Sequence, residues 1–209
     1  MRKIIKFLLI AITLPLLLFI NPFSLRLIRK IKEFFYSGLL SVYFKKNLLK
    51  IYAKDFPSII GKKYIIVENI FSLGRRNRIE CFGKYKTQIF SSKLFFGDRV
   101  SLGDDCHIGC INSITIGRNT TIGSKVMIID HSHGNGIMKN NPLDEPLFSK
   151  GKIIIGENCW IGDGASILPG VKIGDSVIIG ANSVVTKSFP DNCVIAGNPA
   201  RIIKKGTEF

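Results

Sequence analysis

A side chain that takes up and returns a proton near neutral pH is most simply a histidine. The chain has three: His107, His131 and His133. Two of them fall in one polar segment, DHSHGNGIMKNNPLDEPLFSKGK, residues 130–152. This segment is rich in Gly and Asn and interrupts a regular pattern on either side. A loop that projects from a rigid scaffold is a natural place for a site. His131 is the candidate general base, and His133 a candidate contact for an acceptor. His107 is expected to point outward as a surface residue. Asp130 precedes His131, but sequence neighbours seldom hold each other's rings, so no orienting partner is assigned. The five cysteines show no metal-ligand spacing and are read as reduced thiols. Cys106 and Cys159 are expected to be inert interior packing rather than nucleophiles.

The elements that must position these residues are repeats of six. They run FGDRVS from Phe96, LGDDCH, IGCINS, a two-residue step at Ile114 and Thr115, IGRNTT from Ile116 and IGSKVM. After the interruption come IGENCW from Ile155, IGDGAS, ILPGVK, IGDSVI, IGANSV and VTKSFP. Position one is always a large apolar residue. Position two is usually Gly, read as supplying the backbone angles of a turn. Position five is mostly small: Val100, Cys106, Thr120, Val126, Cys159, Ala165, Val171, Val177 and Ser183. Short strands joined by tight turns and stacked about 4.8 Å apart satisfy this period as a parallel β-helix. Lys63 to Phe95 is less regular and reads as degenerate first coils. The domain boundaries expected are 1–54 for an N-terminal segment, 63–203 for the solenoid and 204–209 for a tail.

The formal net charge is +15, yet the first 54 residues hold eleven of the Lys and Arg residues against one acid, Glu33. The charge therefore belongs to an appendage, and a nucleic-acid partner is not expected. A mean hydropathy of +0.24 with 22% charged residues excludes a disordered chain. Phe7 to Ile20 is an uncharged run with Pro15 in its middle, short of the about 20 apolar residues of a spanning helix. No A-x-A-like cleavage site follows it, which weighs against a signal peptide. From Leu25 to Tyr52 the residues Ile28, Ile31, Phe35, Leu39 and Val42 recur at helical spacing among bases, a basic amphipathic helix. A cap or partner-binding helix is one reading. The favoured one is a helix pair on the cytoplasmic membrane face, with its apolar side in the acyl boundary.

The run IGENCWIGDGASILPGVKIGDSVIIGANSVVTKSFPDNCVIAGNPARII resembles the hexapeptide-repeat acyltransferases. Within them it is similar to the maltose and galactoside O-acetyltransferases and to the acetyltransferases of capsule, colanic acid and O-antigen synthesis. The resemblance covers about Phe96 to Lys205. It implies an all-β, left-handed parallel β-helix, a homotrimer with sites between subunits, and acetyl-CoA as acetyl donor. It places the catalytic base on His131. It places CoA contacts on Asp163, Ala181, Thr186, Lys187, Arg201 and Lys204, of which Asp163 departs from the small or neutral residue often found there. Trp160 is expected to wall the site, and Asn112 to touch acceptor or thioester. The implied function is O-acetylation of a cell-surface polysaccharide or its lipid-linked precursor. Alternatives are N-acetylation of an amino-sugar nucleotide, a γ-carbonic-anhydrase-like zinc enzyme using the three histidines, and a non-catalytic solenoid. No metal is expected.

Overall fold

The computed structural model describes residues 22–44, 50–135 and 141–206. The apolar run Phe7 to Ile20 and the middle of the histidine loop lie outside these residues. The hexad period winds the chain into a parallel β-solenoid with three sheets, one per side. Sheet A stacks β1 (Ile51–Ala53), β4 (Phe71–Leu73), β9 (Val100–Leu102), β12 (Thr121–Ile122), β17 (Trp160–Ile161), β20 (Ile178–Ile179) and β22 (Cys193–Gly197). Sheet B stacks β2 (Ser58–Ile60), β5 (Arg78–Cys81), β10 (His107–Cys110), β13 (Met127–Ile129), β18 (Ser166–Ile167) and β21 (Val184–Val185). Sheet C stacks β3 (Ile65–Val67), β8 (Lys93–Phe96), β11 (Ser113–Ile116), β16 (Ile153–Ile155) and β19 (Lys172–Ile173). The solenoid begins at Ile51, earlier than the repeat suggests, because β1 pairs in register with β4 although its hexad is degraded.

Every position-one side chain from Phe96 to Val185 is buried, and so are the small residues at position five. They form one continuous core column in which each coil is stabilised by its neighbours. The five cysteines are buried and unbridged. Burial pushes the thiols of Cys106, Cys159 and Cys193 above the ordinary range, which keeps them protonated and unreactive.

The position-two glycines serve a different purpose from the one expected. The left-handed backbone angle falls on position four instead, as at Asn158 (φ 55°) and Asn182 (φ 55°), and Asn tolerates it. A Cβ on Gly162 would stand 2.6 Å from the amide nitrogen of Ala181 in the next coil, so Gly there permits close stacking. Aspartates in the A-to-B turns clamp coil to coil: Asp104 accepts from Arg75 N (2.8 Å) and Asp163 from Ser124 N (2.8 Å).

The two ends are closed differently. At the C-terminus β23 (Ala200–Lys205) folds back antiparallel on β22 after a cis Asn198–Pro199 peptide. At the N-terminus helix α1 (Pro22–Tyr43) covers the first coil. Leu40 enters the core, and Ser37 Oγ accepts the amide of Ala53 at 2.9 Å, occupying an edge-strand donor. The helix ends nine residues before the expected Tyr52, which lies instead in β1. Its expected stripe, Ile28, Ile31, Phe35, Leu39 and Val42, is exposed on the side away from the solenoid. Among the described residues no helix is long and apolar enough to cross a membrane.

Candidate active site

The turns from sheet B to sheet C vary in length, and the site is built from that variation. In the third coil the turn is only Ile111 and Asn112. Both of its amides are met from the coil above: Asp130 Oδ1 accepts Ile111 N–H at 2.8 Å and Oδ2 accepts Asn112 N–H at 2.9 Å. Asp130 is completely buried. An inward clamp at residue 130 leaves residue 131 just outside the corner. His131 Nδ1 stands 3.1 Å from Asp130 Oδ1. A carboxylate surrounded by donors accepts the third one too, so Nδ1 carries its hydrogen toward Asp130, and Nε2 is the nitrogen left to act as a base. Sequence adjacency argued against such a pair. The structure permits it because the two side chains leave the chain at the point where the strand ends and the loop begins.

The floor and walls follow from sheet B. The His131 ring lies over Gly109, where a Cβ would stand 3.2 Å from its Cε1. Phe82 meets the ring edge-on, centroids 6.2 Å apart. His131 is 13% exposed, enough to present one edge. A cleft of about 250 Å3 opens there, and Arg78, Glu80, Tyr85, His107 and His133 also line it. His107 does point outward, as expected, but into this cleft rather than to open solvent. Its Nε2 is 3.2 Å from Glu80 Oε2, and the same oxygen holds Arg78 at 2.8 Å. Burial pushes His107 below the ordinary histidine range; the hydrogen bond to Glu80 opposes this, and Arg78 adds to it.

Residues 82–92 carry a second excursion at the same type of turn, which sequence reasoning passed over as a degraded coil. Here β6 (Lys84–Tyr85) and β7 (Gln88–Ile89) form a small hairpin. It reaches up to the histidine loop, where β14 (Ser132–His133) pairs antiparallel with β15 (Leu147–Phe148). The Gln88 amide bonds Leu147 twice, donating to its carbonyl at 2.9 Å and accepting from its N–H at 2.7 Å. Lys86 Nζ donates to the carbonyl of Leu143 at 2.5 Å. The Tyr85 ring packs 5.8 Å from that of His133. His133 Nδ1 is buried without a hydrogen-bond partner among the described residues.

The other expected residues divide. Asn112 is beside the site, joined to Asp130 through its backbone. Thr186 and Lys187 are exposed at the B-to-C turn two coils above His131. Asp163 and Ala181 are exposed at the A-to-B turn, and Arg201 sits opposite Ala196 near that corner. The carboxylate of Asp163 is engaged with the Ser124 amide. These five flank sheet B from either side. Lys204 lies further along β23, opposite Val194. Trp160 is exposed on sheet A and is not brought near His131 within this chain. A larger cavity of about 560 Å3 lies on sheet A under Phe34, away from all three histidines. Among the described residues, no group of three His, Cys, Asp or Glu side chains is placed to hold a metal ion.

The architecture agrees with known proteins. The family model described as bacterial transferase hexapeptide (six repeats) matches residues 152–187. A putative lipopolysaccharide biosynthesis O-acetyl transferase, WbbJ, of Escherichia coli K12 is 42% identical over 142 residues, 65% of this chain and 68% of that protein. A putative colanic acid biosynthesis acetyltransferase, WcaF, of the same strain is 37% identical over 56% of this chain, which spans 60% of its length. The crystal structure of a hexapeptide-repeat-containing acetyltransferase from Vibrio cholerae aligns with a TM-score of 0.51 at 22% identity, covering 81% of this chain and 88% of that one. At that identity the likeness concerns the fold. The chain belongs to the hexapeptide-repeat acyltransferases.

Proposed function

We propose that the protein transfers acetyl from acetyl-CoA to a hydroxyl of a cell-surface polysaccharide or of its lipid-linked sugar precursor, with His131 as general base. The observation that carries this reading is the buried Asp130 holding Nδ1 of His131 at the mouth of a cleft. In the reaction Nε2 takes the proton of the acceptor hydroxyl. The oxygen bonds to the thioester carbonyl carbon, and backbone N–H groups receive the oxyanion. The C–S bond then breaks, and His131 returns the proton to the thiolate of CoA. The CoA would lie along the side of the coils above the loop, near Asp163, Ala181, Thr186 and Lys187. Lys187, Arg201 and Lys204 supply cations for its phosphates, and Ala181 leaves room for the pantetheine arm.

We read the coil as left-handed and the assembly as a trimer with each site between subunits, in keeping with the family. In that arrangement a neighbour's sheet A brings Trp160 toward the cleft. The saccharide acceptor is supported by the lipopolysaccharide and colanic acid relatives. The location we assign is the cytoplasmic face of the inner membrane, supported by the basic first 54 residues and the outward apolar stripe of α1. Radiolabelled acetyl-CoA, purified protein and the lipid-linked saccharide fraction of the source cells provide the test. Label released by mild alkali is an oxygen ester, the expected result. Label resistant to alkali is an amide and would move the reaction to an amino sugar.

A further inference from the structure

Helix α1 carries two chemistries on adjoining sides. Its inner side is fixed by Leu40, Ser41 and Ser37 against the first coil. At 100° per residue, Ile28, Ile31, Phe35, Leu39 and Val42 lie on the outer side. The flank between them carries Arg29 and Lys32. There the helix overhangs the A-to-B turns of the first two coils, and a cleft of about 530 Å3 opens, lined by Arg29, Lys32, Tyr36, Lys54, Asp55 and Arg75.

Four cations therefore face one carboxylate across a concave surface. None of the four side chains makes an ion pair with a described residue. Glu33, one helical turn from Arg29, lines the adjoining cavity on sheet A with Lys54 and offsets part of this charge. The other nearby acids are engaged elsewhere. Asp55 Oδ1 accepts Phe56 N–H at 2.8 Å, Asp104 Oδ1 accepts the Arg75 amide at 2.8 Å, and Asp105 pairs with Arg76. The turns are held in place, since Lys54 N donates to Leu73 O at 3.0 Å. Like charges gathered in a cleft repel, and an anion with several oxygens relieves them. Arginine forks and lysine ammonium groups suit phosphate in particular.

We propose that Arg29, Lys32, Lys54 and Arg75 form a binding cleft for the phosphate ester headgroup of a membrane lipid. The source of the phosphate follows from the helix. When the outer stripe enters the acyl boundary, the flank beside it stands at headgroup depth. The cleft rests on the membrane reading given above, and its two helical and two solenoid cations would set the angle at which the solenoid meets the surface.

The test uses the full chain and three kinds of vesicle: phosphatidylcholine alone, phosphatidylcholine with phosphatidic acid, and phosphatidylcholine with oleate at matched surface charge. The protein should bind the phosphatidic acid vesicles at least about tenfold more tightly than the oleate vesicles. The double variant Lys54→Ala, Arg75→Ala should lose that preference, keep its circular dichroism and bind pure phosphatidylcholine as before. An unchanged preference in the double variant overturns the cleft. If inorganic pyrophosphate alone stabilises the protein through these residues without any vesicle binding, the ligand is a soluble phosphate and the lipid assignment falls. Ile31→Asp with Phe35→Asp separates the two ideas. Loss of all vesicle binding there, with no effect of the double variant, keeps the membrane reading and rejects the cleft. No binding of the unaltered protein to any vesicle rejects both.

Discussion

Two turns of the same kind, two coils apart, have each grown into a loop, and they differ in what they contribute. The turn at residues 130–152 brings the histidines. The turn at residues 82–92 brings no histidine, and its side chains grip the first: Gln88 on Leu147, Lys86 on Leu143, Phe82 against His131. Between them, the two-residue turn Ile111–Asn112 supplies the amides that fix Asp130. A solenoid keeps every turn of one kind on one edge, so length changes far apart in sequence meet in space. His131 and the residues that hold it thus come from three consecutive coils.

This division of labour can be broken one contact at a time. The largest effect is expected at Asp130. Asp130→Asn keeps an acceptor but loses the charge that holds Nδ1, and a hydrogen bond to a charged group is worth about 1.5–3 kcal/mol. Transfer should fall about 10–100-fold with the KM for acetyl-CoA little changed, as measured by CoA release. An unaltered rate would mean that Asp130 serves the fold alone. Gly109→Ala comes next. Its Cβ would displace the His131 ring by a few tenths of an ångström. A several-fold loss of kcat with nearly unchanged Tm is expected, because a small misplacement of a reacting group is costly.

Gln88→Ala sharpens the comparison from the other loop. It removes two bonds to Leu147, each worth about 0.5–1.5 kcal/mol net. The Leu147 amide should exchange its hydrogen faster, and kcat/KM should fall a few-fold. Exchange as slow as in the unaltered protein would show that the hairpin does not hold the loop.

The smallest effect is at His107. Its pKa is depressed in the folded state by burial. The unfolded chain then binds the extra proton first, so this group's contribution is full above the ordinary histidine pKa and is lost as pH falls through its lower folded value. His107→Gln should flatten the decline of stability below about pH 6, seen in denaturant titrations across pH. An identical decline in both proteins would place the acid sensitivity elsewhere.

The core was legible because its signal is local and repeated. Ile161, Ile167, Ile173 and Ile179 recur at six, and all are buried in one column. His131 was legible because it stands where that rhythm stops. The hairpin was not, because its meaning lies in contacts such as Gln88 to Leu147, 59 residues apart, and its two-residue strands leave no period. Asp130 was misjudged for a related reason. Its principal partners are amides 18 and 19 residues earlier, and the ring it holds is a neighbour only because those amides pin it. Position two suggests a conformational glycine, whereas the crowding it relieves comes from the next coil and is invisible along the chain.

The most direct test of the central claim is the O-acetyl content of the envelope polysaccharide, read by NMR in cells carrying this protein or only its His131→Ala variant. General base catalysis contributes roughly 10²–10⁴-fold, so specific acetyl resonances should disappear in the variant while the protein remains folded and at the same level. Matching spectra from the two strains would contradict the assignment of His131 as the base for glycan O-acetylation.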